Sequence, residues 1–317
     1  GVQTCALPIC FNKVAFPGKN TQILKIVDFL NARARENQWG FVDFNRPMVA
    51  INQWEQAADS MYTLCGKDRI HPSTDGHLVM AYLFLKAQGL AGKLVADIRI
   101  DGAGKKVTRS DNCRVSDLSV SSDNLTFTYE AKSLPYPIDT SYYDNEKHTQ
   151  ADALSVIPFM DEMNYEGLSV SGLSDGYYGL TIGGEFIGRF TARELERGIN
   201  MALLQNTPQY KQAMKIRQMN EERWLKERKM REFYWVEYNL MRKTGMLWAC
   251  NEAAVDTLRK YRPHDIFLQW NGDLWLQYMH KGIREDCVNE QQDLVNQIYE
   301  QNKPIPLRIE IKKFTDL

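Results

Sequence analysis

KDRIHPSTDGHLVMAYLFLKAQGL, Lys67 to Leu90, joins an acid, two histidines, a proline and a glycine to a long apolar run. Pro72 disfavours helical torsions at His71, so its imidazole is expected on a loop just ahead of a helix. Ser73 suits the N-cap, Asp75 suits the positive end of the helix dipole, and the helix is expected to close near Gly89.

Upstream, TQILKIVDFLNARARENQ (Thr21–Gln38) carries Ile23, Leu24, Val27, Phe29 and Leu30 at helical spacing with charges between them, which predicts an amphipathic helix. WGFVDF (Trp39–Phe44) has the pattern of a short buried strand, and NRPMVAINQWEQA reads as a loop and short helix. Helix, buried strand, loop, helix is the rhythm of an α/β layered domain with a parallel sheet.

Beyond Gly92 the pattern changes to period two. LVADIRID, VSDLSVSS and NLTFTYEA alternate, broken by the turn signals DGAGKK and SSDN, and predict an antiparallel β segment. SLPYPIDTSYYDNEKHTQAD (Ser133–Asp152) reads as a long loop. GLSVSGL, YYGLTIGG and EFIGRFT make a second β cluster, with Gly183-Gly184 suited to a tight hairpin rather than to a phosphate loop, because a strand follows. Thr191 and Glu194 form a capping box that opens a helix, and from Pro208 to about Lys303 the chain reads as helical, a hairpin or arm.

The 317 residues, 44% of them hydrophobic, suffice for two domains with real cores. Lys and Arg (39) nearly balance Asp and Glu (40), which argues against a nucleic-acid partner and favours a small neutral or polar ligand. No apolar run is long enough for a membrane span. The six cysteines show no CxxC pair, which argues against a zinc knuckle or a dense disulfide scaffold. GVQTCALPI (Gly1–Ile9) looks like a translated sequencing adapter, so native sequence is expected to start near Cys10 and the parent chain to extend upstream.

Asp68 and His71 are spaced so that a sharply turning loop lets the carboxylate accept a bond from the imidazole N–H, the acid and base of a hydrolytic triad. The same letters permit a loop Asp capping amides beside an exposed His, or a metal site of Asp68, His71 and His77 with no fourth ligand near in sequence. His77 suits either an active-site mouth or a helix-start histidine bonded to a carbonyl. Asn45 suits a turn or a pocket rim. Trp224, Trp235, Trp248, Trp270 and Trp275 suit packing between helices, or stacking on sugars. The basic residues between Lys211 and Lys243 alternate with Glu221, Glu222, Glu227, Glu232 and Glu237, a salt-bridged helix face.

FVDF, a loop, and then DRIHPSTDGHLVMAYLFLKA resemble the last block of the SGNH/GDSL hydrolases, the GDSL-like lipases and acylhydrolases, with Asp-x-x-His-Pro followed by Gly-His at the closing helix. The resemblance covers roughly Phe11 to Gly92. It implies a truncated flavodoxin-like three-layer α/β domain, Asp68 as orienter and His71 as general base of a serine esterase, with no cofactor or metal. The family's Gly-Asp-Ser nucleophile block and its oxyanion Gly and Asn blocks are not in this chain. Ala58-Asp59-Ser60 mimics the first only by letters, because it directly precedes the Asp–His loop, so Ser60 is rejected as nucleophile. The expected division is adapter 1–9, the end of the hydrolase domain 10–92, a β-rich accessory domain 93–191 and a helical extension 192–317. The parent is expected to be an esterase of small-molecule or carbohydrate esters, periplasmic or secreted, and the fragment inactive. A noncatalytic glycan- or protein-binding module with a vestigial Asp–His loop is the alternative.

Overall fold

The computed structural model describes residues 18–66, 71–141 and 148–314. The chain divides into two compact units, one running to Thr207 and resuming at Pro306, the other Pro208–Ile305. The adapter-like Gly1–Ile9 and Asp68 lie outside the described residues.

The first unit opens with three helices, α1 (Lys19–Glu36), α2 (Asn45–Glu55) and α3 (Thr74–Ala87). α1 turns Val27 and Ala34 inward, leaving Phe29 and Ile26 exposed. The apolar α3 buries Leu78, Val79, Met80 and Tyr82, and Gly89 follows it at φ +71°, the left-handed turn that ends a helix on glycine. The expected strand at Trp39–Phe44 is not formed: the segment joins no sheet. A parallel strand exists only through its neighbours' hydrogen bonds, and no described strand lies beside this one. The flavodoxin-like sheet is therefore not present among the described residues.

Two sheets follow, built from β1 (Ala96–Asp101), β2 (Lys106–Asp111), β3 (Cys113–Val120), β4 (Asn124–Ala131), β5 (Glu166–Ser171), β6 (Tyr177–Ile182), β7 (Glu185–Thr191) and β8 (Ile199–Asn200). Helical turns α4 (Phe159–Glu162) and α5 (Ala192–Arg197) interrupt them, α5 opening on the Thr191/Glu194 capping box. The four-stranded sheet has the order β2-β1-β5-β8, and β1 pairs with β5 in parallel, a departure from the all-antiparallel expectation. The five-stranded sheet has the order β3-β4-β9-β6-β7, with β9 (Leu307–Lys313) at its centre. The helical extension was expected to run to 317, whereas the chain returns here to complete the first unit. Leu307, Ile309 and Ile311 alternate with polar residues, a period-two pattern only seven residues long. Gly183 and Gly184, at φ +60° and +85°, make the β6–β7 hairpin.

Ile98, Ile100, Leu168 and Val170 of the smaller sheet pack with Phe127, Leu180, Ile309 and Ile311 of the larger in one core. Within it the Tyr129 hydroxyl donates to Glu166 Oε1 at 2.8 Å. A second core joins Met48, Leu64, Leu78 and Val79 to Ile138, Ile157 and Phe159, so residues beyond β4 pack directly on α3.

The second unit consists of α6 (Pro208–Val236), a π-helical turn Glu237–Met241, α7 (Glu252–Tyr261), α8 (Ile266–Tyr278) and α9 (Lys281–Gln301). α6 carries the i,i+4 pairs Arg217–Glu221, Arg223–Glu227 and Arg228–Glu232. Its core holds Phe233, Val236, Met241, Leu258 and Trp275. The buried Glu237 carboxylate accepts from Trp275 Nε1 and from the Trp248 backbone N–H, each at 2.8 Å, and so fixes Trp248 at φ +64°.

Candidate active site

The loop that presents His71 is closed at its base by backbone pairing. Cys65 and Pro72 form an antiparallel bridge, Gly66 N–H donates to His71 C=O at 2.9 Å, and Ser73 N–H donates to Leu64 C=O at 3.0 Å. Asn52 of α2 anchors the other side, its Oδ1 accepting from Leu64 N–H at 2.9 Å. Gly76 is demanded by close approach: a Cβ there would stand 2.1 Å from Leu64 O. His71 is thus an exposed residue held at a fixed foot, three positions before α3 begins at Thr74.

Ser73 takes the N-cap position with extended torsions, but its hydroxyl serves Asp75 rather than the helix amides. Asp75 is 1% exposed; its Oδ1 accepts from the Ser73 hydroxyl and from Gly76 N–H at 2.7 Å. Its Oδ2 faces His148 Nδ1 at 3.4 Å, an ion-pair distance longer than a hydrogen bond. Burial holds the Asp75 carboxyl above the usual carboxylate range, against the opposing pull of Ser73 and His148. Tyr62 stands edge-on to the His148 ring at 6.2 Å, and burial pushes its phenol up. Ser73, Asp75 and His148 are not a triad. Hydroxyl and imidazole both meet the acid, so no base contacts the serine.

The other predicted positions separate. His77 is exposed and lies one turn into α3, on the rim of an apolar groove of about 800 Å³ between α1, Trp39–Phe44 and α3. Leu30, Trp39, Phe41, Phe44, Met80 and Phe84 line that groove, with Arg33 at its edge. Asn45 is buried at the start of α2, its Nδ2 donating to Asn20 Oδ1 at 3.0 Å, and so serves packing rather than a pocket rim. Ser60 is exposed on the turn after α2. Among the described residues no three His, Cys, Asp or Glu side chains converge as metal ligands. Of the tryptophans, Trp275 is fully buried, whereas Trp224, Trp248 and Trp270 are exposed. Sequence reasoning missed His148 altogether. It sits in a polar loop with no periodicity or motif to single it out.

Residues 214–303, within the helical unit, match the family described as the diltiazem deacetylase C-terminal helical domain. A solved structure described as BT4096, a gut microbial diltiazem-metabolizing enzyme, is 40% identical, with a TM-score of 0.90 over 97% of this chain and 70% of that one. The chain belongs to the family of this diltiazem-metabolizing enzyme. No curated protein matches the chain. The match covers 97% of the chain, whereas the SGNH resemblance is confined to roughly residues 11–92. No helix among the described residues is long and apolar enough to cross a membrane.

Proposed function

We propose that the chain carries the acid–base half of a serine ester hydrolase of SGNH type that removes an acetyl group from a small-molecule ester. The observation that carries this reading is the placement of His71, an exposed imidazole on a backbone-closed foot beside α3, in a chain 40% identical to a diltiazem-metabolizing enzyme. Asp68 orients His71 through the ring N–H. A serine supplied by sequence outside these 317 residues, with its oxyanion donors, completes the site.

In acylation His71 takes the serine proton as the oxygen adds to the ester carbonyl; it then gives that proton to the departing alkoxide, leaving an acetyl-serine and a free alcohol. In deacylation His71 takes a proton from water, whose oxygen adds to the acetyl carbonyl, and returns it to the serine as acetate leaves. The apolar groove along Trp39–Phe44 supports a place for further strands, because that segment's backbone hydrogen-bonding groups have no ladder among the described residues.

The test is acetate release from diltiazem and from p-nitrophenyl acetate by a protein carrying the upstream sequence. His71→Ala is expected to reduce turnover by about 10³-fold or more with little loss of folding. A full-length protein that binds the ester without turnover would favour the noncatalytic binding module.

A further inference from the structure

Outside the Asp68–His71 loop the buried Asp75 and the partly buried His148 are an ionisable pair that the proposed chemistry leaves unused. Its two halves come from distant elements. Asp75 sits in the first turn of α3, four residues after His71; His148 precedes the 3-10 turn Gln150–Ser155, which packs on α3 from the stretch between β4 and β5. The groups that face the pair are the Ser73 hydroxyl and Gly76 N–H on Oδ1, the Tyr62 phenol beside the imidazole, and the carboxylates of Asp152, near both Asp75 and Tyr62, and Glu55, near Tyr62.

A carboxylate 1% exposed costs several kcal/mol of lost hydration unless it is compensated. Among the described residues Oδ1 accepts from two donors, whereas Oδ2 has an imidazole at 3.4 Å and no donor at bonding distance. The compensation on that side is thus electrostatic and comes from a different segment of the chain. Whatever moves His148 changes how firmly Asp75 holds Ser73, and Ser73 N–H is the hydrogen bond to Leu64 C=O that shuts the foot of the His71 loop.

We propose that Asp75 and His148 are a positioning pair, through which the segment between β4 and β5 holds the first turn of α3 and thereby aims His71 at the ester. The assignment rests on the proposed hydrolase reading for its catalytic consequence. Its structural half stands without it. Neither residue touches substrate. They fix the residue that does, and a displacement of about 1 Å at a general base costs on the order of 10²-fold in rate.

Two measurements test the pair. The first uses the 317-residue chain: histidine ring signals are followed by NMR against pH in wild type, Asp75→Asn and His148→Gln. Asp75→Asn is expected to shift the His148 ring signals, because it replaces the carboxylate that faces the imidazole at 3.4 Å, and both variants are expected to shift the His71 ring signals. Unmoved His148 ring signals in Asp75→Asn would overturn the pairing, and unmoved His71 signals would overturn the positioning role.

The second uses the protein that carries the nucleophile. His148→Ala is expected to lower kcat by roughly 10- to 100-fold with KM within about 3-fold. His148→Gln, which keeps a polar N–H facing Asp75 Oδ2, is expected to recover part of that loss. Equal loss in both variants would refute the claim that a polar side chain at position 148 supports Asp75. If wild type shows no turnover, the hydrolase reading fails while the NMR result still decides the pair.

Discussion

Gly76→Ala perturbs the site at the point where its two supports touch. The added Cβ would lie 2.1 Å from Leu64 O and 3.1 Å from its carbonyl carbon, so backbone, not a flexible side chain, must give way. Opening the contact to even the tight limit of 3.0 Å moves the α3 start or Leu64 by 0.9 Å. Forcing such overpacking costs about 1–3 kcal/mol, and loss of the Ser73–Leu64 hydrogen bond adds about 1 kcal/mol. Alanine's helix propensity returns at most about 1 kcal/mol. The net is a destabilisation of about 1–3 kcal/mol, or a fall of roughly 2–12 °C in Tm for a unit of about 200 residues. Calorimetry is the assay for the first unit, and amide hydrogen exchange at Ser73 and Gly66 reads the loop foot directly. Unchanged or raised Tm with protected amides would refute the claim that Gly76 is required by close approach.

Truncation after Lys303 removes β9 from between β4 and β6, and is expected to abolish the sheet's exchange protection while α6 to α9 keep their helical signal. Tyr129→Phe removes a hydroxyl from the buried Glu166 carboxylate and is expected to cost about 1.5–3 kcal/mol in urea unfolding. Glu237→Gln presents an amide N–H₂ where two N–H groups now meet acceptor oxygens, and is expected to destabilise the helical unit by about 1–3 kcal/mol and shift Trp248 fluorescence. Asp75 has a folded pKa raised by burial, so its contribution to stability grows as pH falls below that raised value and is lost as pH rises through it. The stability of wild type relative to Asp75→Asn is expected to rise as pH drops from neutral towards the ordinary carboxylate range. A difference that is flat with pH would contradict this.

Residues whose neighbours are local were legible in the sequence. α3, its close near Gly89, the Gly183-Gly184 hairpin and the Thr191/Glu194 capping box follow from torsions and hydrogen bonds within a few residues. Elements defined by distant partners were not. β9 reads as a short alternation after a helix, and only its pairing with β4 and β6 makes it central. Trp39–Phe44 has a strand's composition but joins no sheet among the described residues. At the site, Pro72 placed His71 on a loop before a helix, as found. The role of Asp75 was read as a dipole effect, because His148, its partner 73 positions away, carries no signature a linear pattern can display.

The measurement that bears most directly on the account is acetate release from diltiazem by the protein extended upstream, wild type against His71→Ala. A fall of about 10³-fold with an unchanged melting curve is the expected result. Turnover that survives the substitution would remove His71 from the mechanism.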